Sequence, residues 1–169
     1  MARTTRELTD AQWVRLAPLL PPQRPRMGRP PKDHRLIVEA IVWLDRTGAP
    51  WRDLPAEYGP WETVASRFYR WRRRGVWERV LACLQADADA RGELDWLLHV
   101  VDGSVVRAHQ HAAGARRRPA KAAYHERNRV EHTINWLKGW RRVATRYEKR
   151  DVNHLAMVTI AAIVLLWLR

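Results

Sequence analysis

The chain has 169 residues, a formal net charge of +13 and one cysteine. That length supports one ordinary domain or two small ones, and the charge selects a polyanionic partner, nucleic acid ahead of an anionic membrane surface. The lone Cys83 excludes an internal disulfide and fits a reducing cytoplasm; its apolar helical surroundings predict a buried structural thiol.

Thr9-Asp10-Ala11-Gln12 is a capping-box pattern, and Trp13, Leu16, Leu19 and Leu20 follow at helical spacing until Pro21 and Pro22. The connector from Pro21 to Lys32 is rich in Pro, Arg and Gly. Its Gly28-Arg29-Pro30 core suits an arm that reads the minor groove as well as it suits an ordinary basic linker. Asp33 caps a second helix carrying Leu36, Ile37, Ala40, Ile41, Trp43 and Leu44, which Thr47-Gly48 closes. After a turn-rich link, Trp61 to Arg74 forms a third helix. Trp61, Val64, Ala65, Phe68 and Trp71 make its apolar face, and Arg67, Arg70, Arg72, Arg73 and Arg74 crowd the remainder. Helix, turn and basic amphipathic helix form the layout of a helix-turn-helix DNA reader. Gly75 breaks this helix, and Val76 to Ala90 forms a fourth.

A second region begins at Leu94. Trp96 to Val101 reads as a buried strand, Asp102-Gly103 as a tight turn and Ser104 to His109 as the returning strand of a hairpin. His109 and His111 alternate along one strand face without a third ligand at metal-binding spacing. Further on, Tyr124, Arg127, Glu131 and Lys138 fall along one helical face. A carboxylate held among an aromatic, an Arg and a Lys suits a group that stays ionised, binds a divalent metal and sits near phosphate. The apolar end, Leu155 to Leu168, is shorter than the roughly 20 residues of a spanning helix and predicts a buried core helix. No stable membrane association is expected, and Met1 to Glu7 is too polar for a secretory signal.

These segments together resemble the bacterial insertion-sequence transposases of the Asp-Asp-Glu class, in the group named for insertion sequence five. LTDAQWVRLAPLLPP, GAPWRDLPAEYGPWETVASRFYRWRRRGVWERV and VVDGSVVRAHQHAAGARR are similar to that group's N-terminal half, and AYHERNRVEHTINWLKGWRRVATRYEKR to its C-terminal catalytic helix. Tyr124, Arg127, Glu131 and Lys138 occupy the places of the family's Tyr, Arg, Glu and Lys motif, and Asp102 that of its first catalytic Asp.

The resemblance implies a helical, helix-turn-helix-like DNA-binding region over residues 1–93 and a ribonuclease H-like α/β catalytic region over 94–169. In such enzymes the carboxylates hold magnesium ions for in-line attack at phosphorus. Asp102 and Glu131 would be catalytic metal ligands, while Arg127, Lys138 and Tyr124 would bind phosphate or DNA. The implied partner is DNA at the element ends, bound by a homo-oligomer or by a mixed oligomer with an intact transposase, in a cytoplasmic, nucleoid-associated setting.

One departure is large. Between Asp102 and Glu131 the only acid is Glu126, so the family's second Asp is missing. A mixed five-stranded sheet has no room there either, since a parallel crossover alone takes about a dozen residues or more. The chain therefore resembles a transposase shortened inside its catalytic domain. The expected fold is mainly α, a helical region followed by a truncated remnant with one β-hairpin. The expected activity is DNA binding with impaired catalysis, or alternatively inhibition of an intact transposase.

Overall fold

The computed structural model describes residues 7–23, 33–91, 135–145 and 147–168. Those residues are mainly helical and include no strand. The hairpin expected around Asp102-Gly103, and with it the ribonuclease H-like remnant, lies outside the described residues.

Helix α1 spans Asp10–Leu16 and begins on the anticipated capping box: Gln12 N–H donates to Thr9 Oγ1 at 3.2 Å and Thr9 N–H to Gln12 Oε1 at 2.9 Å. It ends sooner than Pro21, tightening into a 3₁₀ turn over Ala17–Leu19. Pro18 is the cause, because it has no N–H to continue the α ladder. Helix α2, His34–Thr47, starts on Asp33, whose carboxylate accepts from Arg35 N–H at 3.0 Å. It stops where Gly48, at φ 72°, donates its N–H to the Leu44 carbonyl at 2.9 Å. Arg35 ties α1 to α2: its Nη2 lies 2.7 Å from Asp10 Oδ1 and its Nε 2.9 Å from Glu39 Oε1.

Two 3₁₀ turns, Trp51–Asp53 and Ala56–Tyr58, lead into α3, Trp61–Arg73. The link from Gly48 to Pro60 is thus longer than the turn of about three to four residues in a compact helix-turn-helix. Arg74 and Gly75 join α3 to α4, Val76–Ala90, with Gly75 at φ 61°. Helix α4 buries Val76, Val80, Leu84 and Ala88, together with Trp77. Val76, Val80, Leu84 and Ala88 recur every fourth position; Cys83 lies at the edge of that stripe rather than within it and is exposed, correcting the expectation of a buried thiol.

Residues 135–138 are helical, followed by the short α5, Arg141–Ala144, and by α6, Asp151–Ala162, which continues as a π-helical turn over Ile163–Trp167. Helix α6 packs on α2, α3 and α4, and its Met157, Ile160 and Ile163 are at most 1% exposed. Burying side chains of that size stabilises by roughly 1.5–3 kcal/mol each. The apolar C-terminal stretch is therefore a core helix, and the core it enters is the N-terminal one: Ile37, Ile41, Val64, Phe68 and Trp77 share a single cluster with it. No helix among the described residues is long and apolar enough to cross a membrane.

Candidate nucleic-acid interface

The basic helix α3 is oriented by what it buries. Val64, Ala65, Phe68 and Trp71 turn into the core, which leaves Glu62 in the first turn, then Ser66, Arg70 and Arg73 on the exposed face, with Arg74 at its end. Among the described residues no carboxylate pairs with Arg70, Arg73 or Arg74.

Arg67 and Arg72 sit differently from the other three. Arg67 is half-buried, its Nη1 2.9 Å from His34 Nε2 and its guanidinium 5.6 Å from the Trp71 ring. His34 is buried and stands edge-on to Trp71 at 5.1 Å. Burial, and then the charge of Arg67, hold the imidazole below its usual pKa, so the neutral ring offers Nε2 as acceptor. Burial and the nearby Arg70 push Arg67 down in turn. Sequence periodicity grouped Arg67 with the solvent-facing cations; an edge position beside a tryptophan and a histidine draws it inward instead. Arg72 is also half-buried, and its Nε has no hydrogen-bond partner.

On the flank of α3 that carries Tyr69, Arg72 and Arg73, a cleft of about 820 Å³ opens toward residues 147–150 and the start of α6. Its floor is a buried polar knot. Arg142 Nη1 donates to Glu148 Oε1 at 2.9 Å, its Nε to the Leu44 carbonyl at 3.4 Å and its Nη2 to the Ala49 carbonyl, with the guanidinium 5.5 Å from the Trp51 ring. Asn153 Nδ2 donates to the other oxygen of Glu148 at 3.2 Å. A cation placed where α2 exposes its last carbonyls also complements that helix's dipole. Beside the knot, the fully buried Asp45 has no hydrogen-bond partner on either oxygen. Burial lifts its pKa well above the carboxylate range, Arg142 opposing and Glu148 reinforcing the shift.

Lys138 is exposed on the helical turn at 135–138. Asp102, Tyr124, Arg127 and Glu131 lie outside the described residues. Among the described residues no group of three or more His, Cys, Asp and Glu is placed to hold a metal. The cleft itself was not anticipated, although the run Tyr147-Glu148-Lys149-Arg150, an aromatic beside cations, carries its compositional signal.

Two family models match the chain: "Putative transposase of IS4/5 family (DUF4096)" over residues 8–81 and "Transposase DDE domain" over residues 116–167. An uncharacterized protein, y4sN, of Sinorhizobium fredii is 43% identical over 110 residues, covering 65% of this chain and 83% of that protein. The insertion element IS402 uncharacterized 16.2 kDa protein of Burkholderia cepacia is 37% identical over 107 residues, covering 60% of this chain and 73% of that protein. No solved structure matches.

Proposed function

Because the chain belongs to the insertion-sequence transposases of the IS4/5 family, we propose that it binds duplex DNA at the ends of an insertion element through the exposed face of α3. The observation that carries this reading is the set Arg70, Arg73 and Arg74, exposed and without carboxylate partners among the described residues. The helix beneath them is anchored by Val64, Phe68 and Trp71, each at most 2% exposed. Such cations displace condensed counterions from phosphates, and the affinity acquires a log–log salt slope of about −0.9 per phosphate neutralised. Titrating a duplex from an element end at several salt concentrations tests it. Arg70→Ala and Arg73→Ala should each weaken binding and flatten the slope by about one contact; unchanged slopes would remove α3 from the interface.

On this reading catalysis is impaired. Magnesium, when bound, stabilises the attacking and leaving oxygens at phosphorus, and Asp102 and Glu131 are the carboxylates this chain offers for it. Glu126 is the only acid between them and belongs to the same motif segment as Glu131, so a third ligand from the family pattern is missing. A magnesium-dependent nicking or strand-transfer activity that disappears with Asp102→Ala would contradict this. A second reading, an inhibitor that occupies element ends or mixes into the oligomers of an intact transposase, is favoured by the packing of α6. Its apolar face packs on α2, α3 and α4, so among the described residues the helices that would face DNA already share one core.

A further inference from the structure

The cleft beside α3 adjoins the exposed crest, sharing Arg73 with it, and carries a different combination of groups. Arg72 and Arg73 stand on one side, Lys149 and Arg150 on the other, and Tyr147 belongs to the wall. Lys149 and Arg150 are exposed, and among the described residues neither has a carboxylate partner. Among the described residues Glu148 is the sole acid of the lining, and it is already engaged by Arg142 and Asn153, so it opposes an incoming anion little. Arg72 lines the cleft while its Nε is buried without an acceptor, so the guanidinium is not already committed to a protein partner. Tyr147 is 54% exposed, and one edge of its ring lies against Gly48, where a methyl group would stand 3.0 Å from Tyr147 Cε2. The cleft thus offers an exposed aromatic surface together with two pairs of cations.

We propose that this cleft is a binding site for an unpaired nucleotide, its phosphate held between Arg72 and Arg73 on one side and Lys149 and Arg150 on the other, its base laid against Tyr147. A paired base is stacked on its neighbours and has no free face for an aromatic wall, whereas an unpaired one has. Cationic grooves with aromatic platforms are the common design of single-strand binding sites. The volume, about 820 Å³, falls within the roughly 300–1,000 Å³ typical of small-ligand sites. The choice of DNA as the nucleic acid rests on the function proposed above; the position and chemistry of the site do not.

The test is fluorescence anisotropy of the full chain with a labelled oligothymidine and, separately, a labelled duplex. Tyr147→Ala should weaken oligothymidine binding roughly 5- to 150-fold, as expected for loss of one base–aromatic stack, and leave duplex binding unchanged. Tyr147→Phe should restore the single-strand affinity. Lys149→Ala, an exposed change, should flatten the single-strand salt slope by about 0.7. Equal losses on both ligands, or an unaltered affinity and slope for oligothymidine, would overturn the proposal. Failure of the parent chain to bind duplex while oligothymidine behaves as expected would sink the α3 interface and leave the cleft standing.

Discussion

Replacing Gly48 by alanine should destabilise the protein by far more than the same change at Gly75, although both glycines are left-handed, at φ 72° and 61°. For an L-residue that conformation costs about 1–2 kcal/mol, and both variants incur it. Only at Gly48 is there a second cost. An ideal Cβ there stands 2.8 Å from Arg141 Cβ, an atom next to the backbone that must move, and 3.0 Å from Tyr147 Cε2 on the ring. Overpacking of that kind costs about 1–3 kcal/mol. At Gly75 the nearest atoms are Arg79 Nη1 at 3.6 Å and Glu78 Oε2 at 3.8 Å, ordinary contacts at the ends of long side chains. Gly48→Ala should therefore lose about 2–5 kcal/mol and Gly75→Ala about 1–2 kcal/mol, against a typical total of about 5–15 kcal/mol. Urea denaturation followed by circular dichroism measures both. Equal losses would refute the reasoning, since they would mean that the segment carrying Arg141 and Tyr147 does not rest on the end of α2.

Two further outcomes follow from the polar knot beneath the cleft. Arg142→Ala should cost about 3–5 kcal/mol, because Glu148 would stay buried without its cation and the Leu44 and Ala49 carbonyls would lose a donor; a loss under about 1 kcal/mol, the scale of an exposed pair, would show the knot to be solvated. Asp45 has its folded pKa raised, so between the unfolded value, about 3.9, and that higher value the native state binds the extra proton and stability falls as pH rises. The slope from one such group is at most about 1.4 kcal/mol per pH unit. Asp45→Asn, which cannot titrate, should flatten the decline and gain on the parent chain as pH increases; superimposable stability profiles from pH 4 to 8 would exclude this.

What the sequence disclosed was chiefly local. The Thr9 capping box, the Asp33 cap and the left-handed stop at Gly48 depend on groups within a few residues, and each formed as expected. The apolar stripe of α3 was legible for the same reason, since helical period alone places Val64, Phe68 and Trp71 on one side. Arg142 could not be assigned this way, because its carbonyl partners lie 98 and 93 positions away in the chain. Cys83 misled because its neighbours are apolar, while the side of α4 that is buried is set by its packing against the other helices. Arg67 misled because a cation at the edge of a helix can turn either toward water or onto an aromatic face, and composition does not distinguish the two.

The polar knot and α6 also make the helical core a closed circuit. The end of α2 is clasped by Arg142, and α4 is covered by α6, so the stretch leaving α4 returns to the body it left. The entropy of closing such a connection grows only with the logarithm of its length, about 0.6 kcal/mol per doubling. Contacts at the clasp outweigh that increment several times over. A chain of this architecture can therefore gain or lose a long intervening stretch in evolution at little cost to its helical core.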